Sequence, residues 1–520
     1  MERLGGTQRG LKSRHIQLIA LGGCIGTGLF VGSGSVLSTV GPGSLFLSYI
    51  FMSTIIWVVM NVLGEMTTYL PVKGASVPYY INRFAEPSLA FAAGWNYWYA
   101  YAMLVASEVT AAGLIIEYWT TNINIAVWIT IILFVCLVLN IFAVSFYGEA
   151  EFWFSSLKLI AIVGLIILGV VLFFGGGPNH DRLGFRYWQH PGAFNEFMTV
   201  GGTGRFLGFW YAFARSGFSF ILSPELITIA AGESIAPRRN IPKATKRFVY
   251  RLIAFYVLGS LVIGVIVASD DPLLLAATSS GASDASASPY VLGAQRAGIK
   301  VLNHIINAVI LTSAWSAGNS FLYAGSRSLY SLSVTGQAPK IFAKCNKQGV
   351  PYVAVLATFA IACLAYLNVS SGAAAVFTWF SNIATISGFI AWIVVLITYL
   401  RFRKAMIFNN ALHTLPFRTA LQPYATWYAL LIVALVTLTN GFYVFFPGKF
   451  SASSFLAAYI TIPIFLVLYL GHKAIYRTPW AIEVSEVDVF SGKEECDMLE
   501  ATDIIPVPKN ILERVWFWIA

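Results

Sequence analysis

The 520-residue sequence is poor in charged side chains and in recognisable catalytic motifs. Asp, Glu, Lys and Arg make up 11% of it, against about 25% in soluble globular proteins. Its five cysteines are an odd number without metal-ligand spacing, which excludes a disulfide framework and a zinc site. A nucleotide-binding loop and a metal-binding signature are also missing. We therefore expect no enzyme activity, no cofactor and no bound metal.

Long apolar runs take the place of the missing charges. Hydrophobic residues make up 58% of the chain, and runs of about 20 apolar residues, enough to cross a ~30 Å hydrocarbon core, recur along nearly its whole length. They predict an all-α membrane protein with twelve transmembrane helices between a short N-terminal segment (1–16) and a C-terminal tail (476–520). The expected spans are 17–40, 44–69, 89–119, 125–145, 155–174, 205–231, 251–269, 301–325, 352–368, 376–400, 425–446 and 452–475.

The distribution of basic residues predicts the orientation of these spans. With both termini in the cytoplasm, 26 of the 33 Lys and Arg residues, Lys158 among them, lie on the cytoplasmic side. Six lie on the outer side, and Arg215 lies within a span. Cytoplasmic loops of membrane proteins carry such an excess. The bias also accounts for the net charge of +10 without a nucleic acid partner, and the lipid bilayer is the expected surrounding.

The first expected span contains an unusual number of glycines. They are Gly22, Gly23, Gly26, Gly28, Gly32 and Gly34. Each weakens a helix by about 1 kcal/mol relative to alanine, so an interruption is predicted. At membrane depth, irregular backbone is tolerated where it lines a cavity or is buried in protein. A half-helix that begins near Gly26 would direct free N–H groups at an anion such as a carboxylate. The alternative is that the glycines only allow close helix packing.

The sixth expected span contains a second predicted interruption. Pro224 removes a backbone donor and disfavours helix at Ser223, which predicts that the carbonyls of Phe220 and Ile221 are free to meet a ligand. Interruptions in the first and sixth spans match two five-helix repeats of inverted topology, whose broken helices meet near the bilayer centre.

Three of the ionisable residues in the expected spans, Glu108, Arg215 and Glu225, lie away from the span ends and are candidates for functional groups. Charged groups at membrane depth are costly and mark functional sites by default. Glu108, midway along the third span, is predicted to carry a proton, with Glu225 in the sixth span as the second candidate. A hydrogen bond to a neighbouring helix is the alternative for Glu108. Arg215 is predicted to disfavour cationic ligands by charge repulsion, or else to reach the headgroups or neutralise a carboxylate such as Glu108.

Several separated motifs resemble the fungal-type amino acid permeases of the amino acid–polyamine–organocation superfamily. They lie at 23–28 (GCIGTG), 94–98 (GWNYW), 231–246, 313–320, 326–330, 336–339 and 399–404. The resemblance implies a LeuT-like 5+5 inverted repeat with helices 1 and 6 broken. It also implies import of amino acids across the plasma membrane with protons, and a substrate site between the first and sixth spans.

The resemblance also assigns site residues. Its carboxylate-binding segment corresponds to residues 26–28, and its sixth-span motif corresponds to residues 218–220 with Glu225. This chain departs from the motif at residues 221–224, where Ile-Leu-Ser-Pro replaces a segment with glycine. The expected substrate-binding residues are Cys24, Ile25, Gly26, Thr27, Gly28, Phe218, Ser219, Phe220 and Ser223.

Two further expectations concern the class and the tails. A non-transporting amino acid sensor with the same fold is the alternative function. Sensors resemble permeases with long N-terminal extensions, and Arg14, directly before the first span, argues against that class. Related permeases are removed from the membrane through cytoplasmic lysines. The short N-terminal segment leaves two alternatives: a shortened gene model, or a chain regulated through Lys493 and Lys509, with ubiquitin ligase adaptors as partners.

Overall fold

The structure is a computed structural model that describes residues 10–142, 144–279, 285–370, 373–501 and 510. Within these residues the only β pairing is an isolated bridge between Leu11 and Ser234. The α-helices are α1 (Ser13–Cys24), α2 (Ser33–Tyr69), α3 (Val77–Phe84), α4 (Pro87–Glu117), α5 (Ile125–Ile141), α6 (Val144–Phe173), α7 (Gly201–Ser216), α8 (Pro224–Gly232), α9 (Pro237–Ile266), α10 (Pro272–Ser279), α11 (Pro289–Arg296), α12 (Leu302–Val334), α13 (Tyr352–Ala362), α14 (Ala373–Phe408), α15 (Tyr424–Thr439), α16 (Ala452–Tyr459), α17 (Thr461–Tyr476) and α18 (Lys493–Ala501).

Many of these helices have the length and composition of membrane spans. Seven helical stretches in the described residues qualify: Arg14–Tyr69, Pro87–Glu117, Val144–Phe173, Pro237–Ile266, Leu302–Val334, Tyr352–Val369 and Val376–Phe408. The pair α16 and α17, bent by 46°, makes an eighth if it forms one span, and α5 and α15 are apolar but shorter. The prediction of an all-α, multi-pass membrane protein is confirmed.

The first two expected spans are joined by a sharp turn. Gly41 has a φ of 85°, a conformation that glycine adopts without steric cost, and Pro42 follows it inside α2. The expected boundary at residues 40–44 therefore coincides with a real change of direction. At the seventh expected span the boundary differs: α9 begins at Pro237, so the basic residues between 238 and 251 are helical rather than part of a loop.

The helix α4 lies at the centre of the bundle, and α6 lies at its edge. In the most apolar window of α4, 83% of residues are buried within the protein, whereas the corresponding share in α6 is 28%. Small residues allow α4 to approach its neighbours α12 and α14 closely. At Gly94, for example, a Cβ atom would overlap the side chain of Leu332. A central α4 places its residue Glu108 in the middle of the protein.

The segment after α17 lies against the ends of the membrane helices. Arg238, at the start of α9, pairs with Asp497 and with Glu500 at 2.9 Å, both on α18, and donates to the carbonyl of Tyr69 at 3.0 Å. Burial alone would raise the pKa of Asp497, but hydrogen bonds from Lys493 and Arg238 outweigh it and lower that pKa. A carboxyl group whose pKa is lowered on folding stabilises the folded state at pH values above its ordinary pKa. This stabilisation is lost as the pH falls through the lowered pKa. The ion pairs of Arg238 with α18 therefore favour the docked position of this segment at neutral pH more than in acid. Lys509 lies outside the described residues.

Candidate functional site

The first predicted interruption is present in the structure. Helix α1 ends at Cys24, Ile25 has non-helical angles (φ −78°, ψ 81°), and helical structure resumes with a π-helical turn at Gly28–Gly32 before α2. The backbone departs from regular helix within residues 25–27, where the glycine content predicts it. The side chain of Cys24 lies outside the described part of the structure.

The second predicted interruption is also present, but its carbonyls are used differently. After α7 comes a 3-10 turn at Gly217–Ser219, Leu222 has a φ of 56°, and α8 begins at Pro224. The carbonyl of Phe220 accepts a hydrogen bond from the Ser223 N–H at 3.4 Å, and that of Ile221 accepts one from Ser223 Oγ at 3.3 Å. The prediction that these two carbonyls are free is wrong, because Ser223 turns back onto them.

The two interruptions touch each other. A Cβ atom built on Gly28 would lie 2.8 Å from Ser219 Oγ and 2.9 Å from Ser219 Cα. Two tyrosines hold Ser219 in place: Tyr49 OH lies 2.9 Å from its hydroxyl, and Tyr256 OH donates to its carbonyl at 2.9 Å. Glycine at position 28 is therefore required for the close approach of the two broken helices.

A cavity of about 670 Å³ lies beside this contact. Of the predicted site residues, Gly28, Arg215, Phe218 and Ser219 line it, whereas Ile25, Gly26, Thr27, Phe220, Ser223, Glu108 and Glu225 lie outside its lining. Residues of α10 also contribute to the wall. The ring of Phe218 meets that of Phe377 edge-to-face, with centroids 6.1 Å apart.

One wall of the cavity was not predicted. Helix α14 contributes Thr378, Ser381, Asn382 and Thr385, which share one helix face because they are spaced three or four residues apart. Polar residues at that spacing within the tenth expected span were the signal that would have identified this wall.

Glu108 reaches the interruption of the first broken helix. Its side chain is 3% exposed, and its carboxylate accepts hydrogen bonds from the Thr27 N–H at 3.4 Å and from Thr27 Oγ1 at 3.1 Å. A Cβ atom on Gly26 would lie 2.7 Å from Glu108 Oε1. The backbone amide predicted to hold an anionic ligand thus already faces a carboxylate of the protein.

Glu225 lies apart from Glu108, at the start of α8. It is fully buried, and Tyr97 OH donates to its Oε1 at 3.3 Å. Its Oε2 has no hydrogen-bond partner among the described residues. Trp392 of α14 lies beside this carboxyl group. Glu225 is thus a buried carboxyl group close to the second interruption but outside the cavity lining.

Arg215 lies in the cavity wall and is not paired with Glu108. Its Nη1 donates to Asn382 Oδ1, and its guanidinium carbon lies 5.8 Å from the ring centroid of Tyr211. The interpretation that Arg215 neutralises Glu108 is therefore not supported by the geometry, since Glu108 contacts Thr27 instead.

Lys158 lies inside a helix and not, as its basic character predicts, among the residues on the cytoplasmic side. It is in the middle of α6, is fully buried, and donates to the carbonyl of Gly22 at 2.5 Å. One turn earlier, Ser155 Oγ donates to the carbonyl of Leu18. Lys158 therefore lies at the carbonyl end of α1, where the helix dipole favours a positive charge. Its spacing from Ser155 and Glu151 on one helix face was the signal that could have revealed it.

Comparison with known proteins identifies the family. The family described as amino acid permease matches residues 15–483. The chain belongs to the amino acid permease family. It is 64% identical over 513 residues to the proline-specific permease of Emericella nidulans, covering 99% of this chain and 93% of that protein. It is 63% identical over 500 residues to the probable proline-specific permease of Schizosaccharomyces pombe, covering 96% and 90%.

A solved structure agrees with the fold. The chain resembles the manganese transporter of Eremococcus coleocola, solved in complex with an aromatic bis-isothiourea substituted compound, with a TM-score of 0.56 over 91% of this chain and 98% of that one. At 13% identity this likeness concerns the fold alone. Membership of the family and the apolar helices together identify a multi-pass membrane protein that transports amino acids.

The contact at Gly28 gives a testable prediction. The substitution Gly28→Ala places a methyl group against the Ser219 backbone, and overpacking of this kind costs about 1–3 kcal/mol. We expect amino acid uptake per surface molecule to fall by about tenfold or more. Gly164→Ala is the matched control, because nothing lies within 4 Å of a Cβ atom there. The measurement is uptake of radiolabelled amino acid, normalised to the amount of protein at the cell surface. Wild-type uptake kinetics in Gly28→Ala would contradict the close contact between Gly28 and Ser219.

Proposed function

We propose that the protein imports proline, together with a proton, across the plasma membrane. The observation that carries the substrate class is the 64% identity to a permease named proline-specific, over nearly the full length of both chains. The observation that carries the coupling is the contact between Glu108 and Thr27.

The proposed architecture has twelve spans in a LeuT-like 5+5 inverted repeat, with both termini in the cytoplasm. The interruptions at residues 25–27 and at 217–223 support it, because they fall in the first and sixth expected spans. The surplus of basic residues on one side supports the orientation. The transporter domain would then comprise residues 17–475.

The substrate carboxylate is proposed to bind at the interruption of the first helix. Gly28 lines the cavity, and the amide of Thr27 is adjacent to it in the chain. Free N–H groups at the start of a half-helix, with the positive end of its dipole, suit a carboxylate. Phe218 and Ser219 complete the site from the second broken helix, and Gly26 leaves room for the Glu108 carboxyl group.

Glu108 then provides a reason for proton coupling. Its carboxylate accepts a hydrogen bond from the Thr27 N–H, the donor that the substrate carboxylate would use. Two carboxylates cannot share one donor at close range without strong repulsion. Protonation of Glu108 removes its charge and leaves the amide to the substrate. Substrate and proton are therefore expected to favour each other's binding, and this reciprocity is the thermodynamic requirement for symport.

Other buried charges have subsidiary roles in the proposal. Lys158 stabilises the carbonyl end of α1, a position at which half-helix transporters bind coupling cations. Glu225 is the second candidate for the proton-carrying group, since it is buried near the second interruption. Arg215 is proposed to set selectivity by repelling the side chains of cationic amino acids.

Uptake measurements test the function directly. Expressed in a permease-deficient yeast strain, the protein is expected to accumulate radiolabelled proline above the external concentration, and a protonophore is expected to abolish the accumulation. Unlabelled proline in excess and an empty vector are the controls. Surface expression without uptake would favour the sensor, and accumulation that survives the protonophore would exclude proton coupling.

Replacement of Glu108 tests the coupling. Glu108→Gln keeps the shape and removes the titratable group, so we expect loss of concentrative proline uptake while exchange of internal for external proline continues. Glu117→Gln, the same change at the end of α4, is the matched control. The measurement is accumulation ratio and exchange rate in loaded vesicles. Wild-type, pH-dependent accumulation in Glu108→Gln would transfer the role to Glu225.

A further inference from the structure

Arg215 places a positive charge at the cavity wall, next to neutral side chains. Among the lining residues in the part of the chain that the structure describes, it is the one charged side chain. Its guanidinium donates to the amide oxygen of Asn382 and lies over Tyr211. Asn382 accepts a hydrogen bond and Tyr211 provides a ring surface, and neither has a formal charge. They therefore orient the guanidinium without neutralising its charge.

Asn382 lies in the part of the cavity wall that α14 forms. It lies on α14, is 7% exposed, and lines the cavity between Ser381 and Thr385. The hydrogen bond from Arg215 therefore joins α7, in the first half of the sixth expected span, to α14 at the cavity wall. An amide oxygen accepts a hydrogen bond and stays neutral, whereas a carboxylate at the same position would form an ion pair with Arg215.

We propose that Asn382 is a positioning residue that determines specificity, holding Arg215 in the wall with its positive charge uncompensated. The inference rests on the proposed import of amino acids and extends it to a residue on α14. Cationic side chains are then rejected by like charge, and proline, whose side chain carries none, is accepted. Specificity of this kind depends on a repulsive element, and the neutral partner preserves it.

A substitution series tests the role of Asn382. The variants are Asn382→Asp, Asn382→Leu, Arg215→Met and the double change Arg215→Met with Asn382→Leu, assayed for proline KM and for inhibition by lysine and by glutamate. Asn382→Asp pairs the arginine, so lysine is expected to inhibit about tenfold more strongly and glutamate about tenfold more weakly. Asn382→Leu is expected to raise the KM for proline severalfold in the wild-type background. In the Arg215→Met background the same substitution is expected to raise that KM by less than about twofold.

The outcomes separate the inference from the function on which it rests. Absence of wild-type proline uptake would overturn the function, and an unchanged inhibitor profile in Arg215→Met would overturn selectivity by Arg215. If both of those hold, the inference fails when Asn382→Asp leaves lysine and glutamate inhibition within about twofold of wild type. It also fails when Asn382→Leu raises the KM for proline by the same factor in the wild-type and Arg215→Met backgrounds, as a purely structural role predicts. Should Asn382→Asp not reach the surface, the Asn382→Leu cycle decides alone.

Discussion

The contact between Thr27 and Glu108 satisfies two groups that could not otherwise be buried. The interrupted first helix has backbone N–H groups without helical partners, and lipid supplies none. A carboxylate on the central helix α4 likewise needs donors, because burial of an unpaired charge is strongly unfavourable. Each group meets the need of the other. A bound carboxylate would disturb this balance, which makes the contact suitable for coupling two binding events.

Close approach of the two broken helices depends on small residues at defined positions. Gly28 allows contact with Ser219, and Gly26 allows the carboxyl group of Glu108 to reach the backbone. The tyrosines at positions 49 and 256 then fix Ser219 from a second direction. The same glycines that weaken the helix therefore also create the space that the site requires, because both effects follow from the missing side chain.

Local chemistry made the interruptions and the buried ionisable residues predictable from sequence. Glycines and Pro224 weaken the helix at their own positions, so the interruptions can be read from the local sequence. Hydropathy likewise places Glu108 at membrane depth. Partners across helices were not predictable, because they depend on the packing of distant segments. The contact between Arg215 and Asn382 is of this kind, although the polar face of α14 is visible in the spacing of its residues. Lys158 was predicted on the cytoplasmic side because hydropathy set the start of its span too close to it, whereas α6 begins at Val144.

Fold alone says little about the substrate. A manganese transporter shares the fold at 13% identity, so the specificity of this chain must come from the residues at its site. The cavity offers backbone at Gly28, aromatic rings at Phe218 and Phe377, and one fixed charge at Arg215. These features support the proposed substrate, a small apolar zwitterion.

A cryo-electron microscopy structure with bound proline would test the coupling most directly. The account predicts the substrate carboxylate at the amides of Thr27 and Gly28, with the hydrogen bond from the Thr27 N–H to Glu108 broken. A structure in which that bond persists while the carboxylate lies elsewhere, for example on Arg215, would contradict it.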